Sequence, residues 1–125
     1  MWNNLTIGID LVEIIRVREL ITRYPSKLTS IFTPQELSFC GAKGFNKFSM
    51  VFAAKEAVLK ALHTGWERGR DLLDIEIIPL ERGQFLARLS NRLKEKAAEL
   101  SIRELRGSFS FSGDLAIAQV LALSS

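Results

Sequence analysis

One cysteine is all this chain has, which rules out an internal disulfide framework. Cys40 also lacks a second cysteine or a nearby histidine, so it reads as a packed thiol rather than a metal ligand or nucleophile. The sole histidine, His63, follows a helical run and is expected to interact with that helix's C-terminal dipole, which leaves no histidine for a catalytic cluster. No apolar run approaches the roughly 18 residues needed to span a bilayer. The opening stretch MWNNLTIGID has no basic region ahead of an apolar one, so a cytoplasmic protein is expected, with no membrane partner. Internal repeats, low-complexity tracts and linkers are absent too, so residues 1–125 are expected to form one domain.

What is present is an ordinary globular balance, 47% hydrophobic and 25% charged, with a net charge of +3 that suits an acidic partner. Basic residues concentrate in the first helix and after it (Arg16, Arg18, Arg23, Lys27) and again in the second half (Arg88 to Arg106). Nucleic acid is disfavoured, because no aromatic-interleaved basic stretch or helix-turn-helix pattern appears.

The segment FAAKEAVLKAL, Phe52 to Leu62, is an apolar helical run interrupted by Lys55, Glu56 and Lys60. Glu56 and Lys60 fall about 40° apart on one stripe, with Lys55 about 100° round from Glu56. A glutamate followed by a lysine at i+4 is a favoured surface ion pair, so this stripe is either a solvated strip or a site. Near the N-terminus Leu5, Ile7, Ile9 and Leu11 alternate with Thr6, Gly8 and Asp10, the pattern of a strand that turns the two sets to opposite faces. Gly8 marks either a close approach or a bulge. Two carboxylates, Asp10 and Glu56, with a lysine one turn on, are a sensible kit for Mg²⁺ and a diphosphate.

Periodicity and turn signals predict a strand near 4–11 and helices near 13–24, 33–42 and 45–64. The second of these helices opens with Thr33, Pro34 and Glu36, a capping box with proline at N1, and Gly65 is the expected C′ residue of the long helix. Phe45, Phe48, Phe52 and Leu59 recur at helical spacing and are expected in the core or an interface, not around a cofactor. A strand at 73–80, a turn at 81–83, a strand at 84–90, a helix at 91–101 and a hairpin from 107–113 to 115–123 complete the reading. This order gives an α+β domain, a mainly antiparallel sheet with helices packed on one face.

GIDLVEIIRV at Gly8 to Val17 and FAAKEAVLKALHTG at Phe52 to Gly65 together resemble holo-acyl-carrier-protein synthase, the small type of 4'-phosphopantetheinyl transferase. IFTPQEL at Ile31 to Leu37, DIEI at Asp74 to Ile77 and SFSFSGDLAIAQVLAL at Ser108 to Leu123 match the family's intervening and closing segments in order. The resemblance implies transfer of the phosphopantetheine arm from coenzyme A to a serine of an acyl carrier protein, with release of adenosine 3',5'-bisphosphate. It implies Mg²⁺ held by Asp10 and Glu56, and Lys60 on the phosphate at the reacting centre. Contacts to coenzyme A would also come from Gly65, Ser110 and Ser112, and Arg16 would face the carrier protein. Either Glu56 or a metal-bound water would take the serine proton. Family members are homotrimers with active sites between subunits.

Three departures stand out. Met50 and Val51 replace a glycine and an arginine, Ser110-Phe111-Ser112 replaces Ser-His-Thr, and His63 replaces a glycine. The absent arginine and histidine belong to the family's coenzyme A phosphate contacts, each worth about 1.5–3 kcal/mol. Lys43, Lys47 and Arg68 are candidates to supply that charge. A divergent transferase is therefore expected, the alternative being a weak or inactive relative that docks a carrier protein.

Overall fold

The computed structural model describes residues 5–42, 44–65 and 71–124. Strand β1 (Leu5–Glu13) runs directly into helix α1 (Ile14–Arg23), followed by α2 (Lys27–Ile31), α3 (Pro34–Cys40) and the long α4 (Phe45–Ala61). Then come β2 (Ile75–Pro79), a 3₁₀ turn (Glu81–Gly83), β3 (Gln84–Leu89), α5 (Asn91–Glu99), β4 (Ile102–Ser112) and β5 (Leu115–Ser124). The five strands form one antiparallel sheet in the order β1-β5-β4-β3-β2. α4 lies across β1, β5 and β4, and α1 packs against α4.

The core is built where α4 meets the sheet. Ala53, Ala54, Ala57, Val58 and Ala61 of α4 are wholly buried, as are Ala116, Ala118, Val120 and Ala122 of β5. Small residues on both surfaces let helix and sheet approach closely, and Gly8 permits the closest contact. Phe48 and Leu59 are buried, while Phe45 and Phe52 pack against the same core from its margin.

β1 turns its faces in a way hydrophobicity does not predict. Thr6, Gly8 and Asp10 point toward α4, whereas Ile7, Ile9 and Leu11 are 62%, 53% and 56% exposed on the outer face. Ile117 and Leu121 of β5 join them in cross-strand register. The sheet thus has one face covered by helices and one apolar face that this chain leaves open.

Several boundaries differ from those expected. α2 is an unanticipated five-residue helix. β4 starts at Ile102 rather than 107 and carries a bulge between Ile102 and Glu104. α4 stops at Ala61, and its C′ residue is His63, not Gly65. His63 takes φ 56°, its N–H donates to the Lys60 carbonyl, and the Thr64 N–H donates to the Leu59 carbonyl, both at 3.0 Å. That is a Schellman closure with histidine at the left-handed position that glycine usually fills. The capping box at α3 forms as expected, with Thr33 Oγ1 accepting from the Glu36 N–H and Glu36 Oε1 from the Thr33 N–H.

Candidate functional site

The crossing of β1 over α4 brings Asp10, Glu56 and Lys60 together. An added Cβ on Gly8 would stand 1.9 Å from the Ala57 carbonyl oxygen, so strand and helix touch through their backbones. Thr6 Oγ1 donates to the Ala61 carbonyl at 2.9 Å and fixes the strand's register along the helix. Two residues beyond Gly8, on the same face, Asp10 is therefore delivered to the α4 stripe that carries Glu56 and Lys60.

Lys60 Nζ donates to Asp10 Oδ1 at 2.9 Å and to the Ile9 carbonyl at 3.1 Å. Its ion pair is with Asp10, fifty residues away in sequence, and among the described residues none forms with Glu56 one turn earlier. Glu56 is pushed up from the usual carboxylate range, first by burial and then by the Asp10 charge, with Lys60 pulling the other way. Two carboxylates close enough to repel, backed by one ammonium, form a centre that a divalent cation would relieve. No third histidine, cysteine or acidic side chain joins them among the described residues, so the protein offers two ligands and leaves the rest to water or substrate oxygens.

Lys55 behaves quite differently. Although next to Glu56 in sequence, it points about 100° away from it round α4 and is fully buried. Its ammonium donates to Glu36 Oε1 at 2.6 Å, to the Ile31 carbonyl at 2.6 Å and to the Leu72 carbonyl at 2.7 Å, which uses all three protons. Glu36 Oε2 accepts from the Ile77 N–H at 2.7 Å. Burial pushes the Glu36 carboxyl up and the Lys55 ammonium down, against their mutual attraction. This cluster ties α2, α3, β2 and the turn before β2 to α4. Its signal in the sequence was a capping glutamate and a lysine on an oily helix face, but their pairing needed the fold.

Ser110 and Ser112 are exposed near the end of β4, and by register Ser110 lies beside Ile117 and Leu11 on the outer face. Asp10, Glu56 and Lys60 sit on the helix face. The structure therefore does not gather all expected residues into one site within one chain. Gly65 is exposed beyond α4 with open space about it. Arg16, its side chain 79% exposed on α1, pairs with Glu13 at 2.8 Å.

The departures in sequence have plain structural settings. Val51 is wholly buried in the core, and Phe111 is half-exposed on β4. Lys47 donates to the Phe39 carbonyl at 3.5 Å and lies over the Phe39 ring, 4.8 Å from its centroid. Lys43 and Arg68 lie outside the described residues. Cys40 is buried, and desolvation, then the Glu36 charge, pushes its thiol up to about 12, as expected of an inert thiol.

Comparison with known proteins gives a consistent picture. The family model described as the 4'-phosphopantetheinyl transferase superfamily matches residues 6–120. A holo-[acyl-carrier-protein] synthase of Moorella thermoacetica is 40% identical over 97% of this chain and 95% of its own. One from Caldicellulosiruptor saccharolyticus is 41% identical over 93% and 94%. Among solved structures, the Helicobacter pylori holo-[acyl-carrier-protein] synthase in complex with coenzyme A superimposes with a TM-score of 0.80 at 35% identity, covering 93% of this chain and 98% of that one.

Proposed function

The chain belongs to the 4'-phosphopantetheinyl transferase superfamily, and on that premise we propose that it transfers 4'-phosphopantetheine from coenzyme A to a serine of an apo acyl carrier protein, releasing adenosine 3',5'-bisphosphate. The observation that carries this reading is the meeting of Asp10, Glu56 and Lys60 where β1 crosses α4.

Mg²⁺ fits the donor set, since two carboxylates with no further ligand among the described residues match a small hard ion that keeps waters and takes phosphate oxygens. When bound by Asp10 and Glu56 it supplies charge neutralisation for the diphosphate. The chain's own groups do the rest. Lys60 holds a phosphate oxygen and stabilises the charge that grows on the departing bisphosphate. Glu56, with its raised proton affinity, suits the role of accepting the serine proton. Rigid seating of Asp10 through the Gly8 contact contributes by holding the reactants in place.

Two further features support an assembly of identical chains, three by family resemblance. The outer face of the sheet carries Ile7, Ile9, Leu11, Ile117 and Leu121 uncovered, a row too apolar to be expected on a free surface. Ser110 and Ser112 also lie on the other side of the sheet from Asp10, so they serve a site only when a neighbouring copy presents them. Arg16 on the exposed side of α1, within a chain of net charge +3, suits an acidic carrier protein in the cytoplasm.

Purified protein with coenzyme A, Mg²⁺ and an apo carrier protein is expected to add one phosphopantetheine mass to the carrier. No mass shift with several carriers, while a known transferase works in parallel, sinks the proposal. A second reading, a carrier-docking relative without turnover, draws on Val51 and Phe111 standing where the family has an arginine and a histidine. Calorimetry showing no coenzyme A binding at millimolar concentration would favour it.

A further inference from the structure

The sheet comes apart between β3 and β4. β3 pairs with β2 from Phe85–Pro79 to Leu89–Ile75, but with β4 only from Gln84–Ser108 to Leu86–Arg106. Past that point β4 has its bulge between Ile102 and Glu104, and α5 crosses from the end of β3 to the start of β4. A cavity of about 520 Å³ opens in the split, within the size range of small-ligand sites. β4 and β5 separate it from β1, and neither Asp10, Glu56 nor Lys60 lines it.

α5 is held in place at this split. Arg92 donates to Asp71 through Nε at 3.1 Å and Nη2 at 2.7 Å, and Asn91 Nδ2 donates to Asp74 Oδ1 at 2.8 Å, which ties the helix to the turn before β2. Leu93 and Ala97 of α5 are buried. Fixed in this way, the helix is not free to settle into the gap.

The lining is of two kinds. Aliphatic side chains, among them Leu86, Leu89, Ala98, Ile102 and Leu105, make the walls, and Arg88, Lys94, Arg103 and Glu104 bring charge. Among the described residues no aromatic ring, hydroxyl or side-chain amide lines it, so a flat ring has nothing to stack on and a polar body nothing to orient it. Arg88 is engaged by Glu76, and Glu104 by Arg106 at 2.7 Å. Lys94 and Arg103 form no ion pair among the described residues. Aliphatic walls beside two unmatched cations complement a ligand with an alkyl chain and one anionic end.

We propose that this cavity binds a single-chain fatty carboxylate, with the alkyl chain in the split and the carboxylate on Lys94 and Arg103. The assignment goes beyond the transferase reading and does not rest on it, because its test reads binding rather than turnover.

Calorimetry with sodium dodecanoate, below its micelle concentration, on the full-length protein is expected to show one saturable site, and sodium acetate none. Lys94→Gln with Arg103→Gln is expected to weaken dodecanoate binding by roughly tenfold or more. Both side chains are exposed, so the fold should be unaffected, which thermal melting checks. Ala98→Trp, at an exposed position on the cavity wall, is expected to abolish binding by filling the space. No dodecanoate binding by the wild type overturns the proposal, and so does binding that both variants leave intact, which would be adsorption to apolar surface elsewhere. Acetate bound as tightly as dodecanoate also overturns it, since the site then takes any small anion. A change of oligomeric state in Ala98→Trp, read by light scattering, would show instead that a second copy of the chain covers the split.

Discussion

Gly8 and Ala57 stand in backbone contact, so close that a methyl group on the strand residue would sit 1.9 Å from the helix carbonyl. That same methyl would also come within 2.8 Å of the Ala61 nitrogen, so neither strand nor helix can make room by moving a side chain. Gly8→Ala is expected to lower stability by about 3 kcal/mol. Chemical denaturation measures this, and an unchanged midpoint would refute the contact.

Glu56→Gln is expected to reduce transfer by about a hundredfold or more, because it removes a metal-bearing charge at constant shape. The fold should not suffer. Burial and the Asp10 charge disfavour the ionised form of Glu56, so at neutral pH the glutamine variant should be at least as stable as the wild type. Turnover measured beside thermal melting separates these effects.

Acidification should weaken Mg²⁺ binding earlier than an ordinary glutamate would allow. Glu56 holds its proton to a higher pH than in the unfolded chain, so proton and metal compete above the usual carboxylate range. For the metal-free protein, the same shift means that stability present at low pH declines as pH rises through the raised value. Removing the Lys60 charge, which pulls Glu56 down, should move both effects further upward. Calorimetric titration with Mg²⁺ across a pH series, on wild type and Lys60→Met, checks the direction.

Lys55→Met strands the Glu36 carboxylate inside the protein and is expected to cost about 3–5 kcal/mol. Removing the second charge as well, in Lys55→Met with Glu36→Gln, should recover much of that loss. Denaturation of the single and double variants would show it. A double variant no better than the single one would mean that the pair's attraction, rather than the orphaned charge, dominates.

His63→Gly is expected to stabilise the protein by about 1 kcal/mol, since glycine adopts the left-handed C′ conformation without steric cost. Thermal melting is sufficient to test this.

The sequence made the element order apart from α2, the α3 cap and the residues of the β1–α4 crossing legible, because capping, periodicity and spacing are local properties. It could not show which face of β1 turns inward. Alternation marks two faces, but the inward one was chosen by how closely α4 can approach, and Gly8, Ala57 and Ala61 made the small-residue face the better fit. The helix ion pair was misleading for a similar reason. Lys60 has a choice between Glu56 on its own helix and Asp10 on the strand, and only packing decides for Asp10. The buried Lys55–Glu36 pair joins two helices nineteen positions apart, beyond the reach of any local pattern.

The different directions of Lys55 and Glu56 also determine where this protein tolerates changes in length. One residue inserted or deleted between Phe48 and Ala54 would turn everything after it by about 100° relative to everything before. That rotation would swing Lys55 away from its three acceptors and Glu56 away from Asp10 at once. Indels should therefore be confined to the connections flanking α4, and the spacing from Phe48 to Lys60 should be the least elastic stretch of the chain.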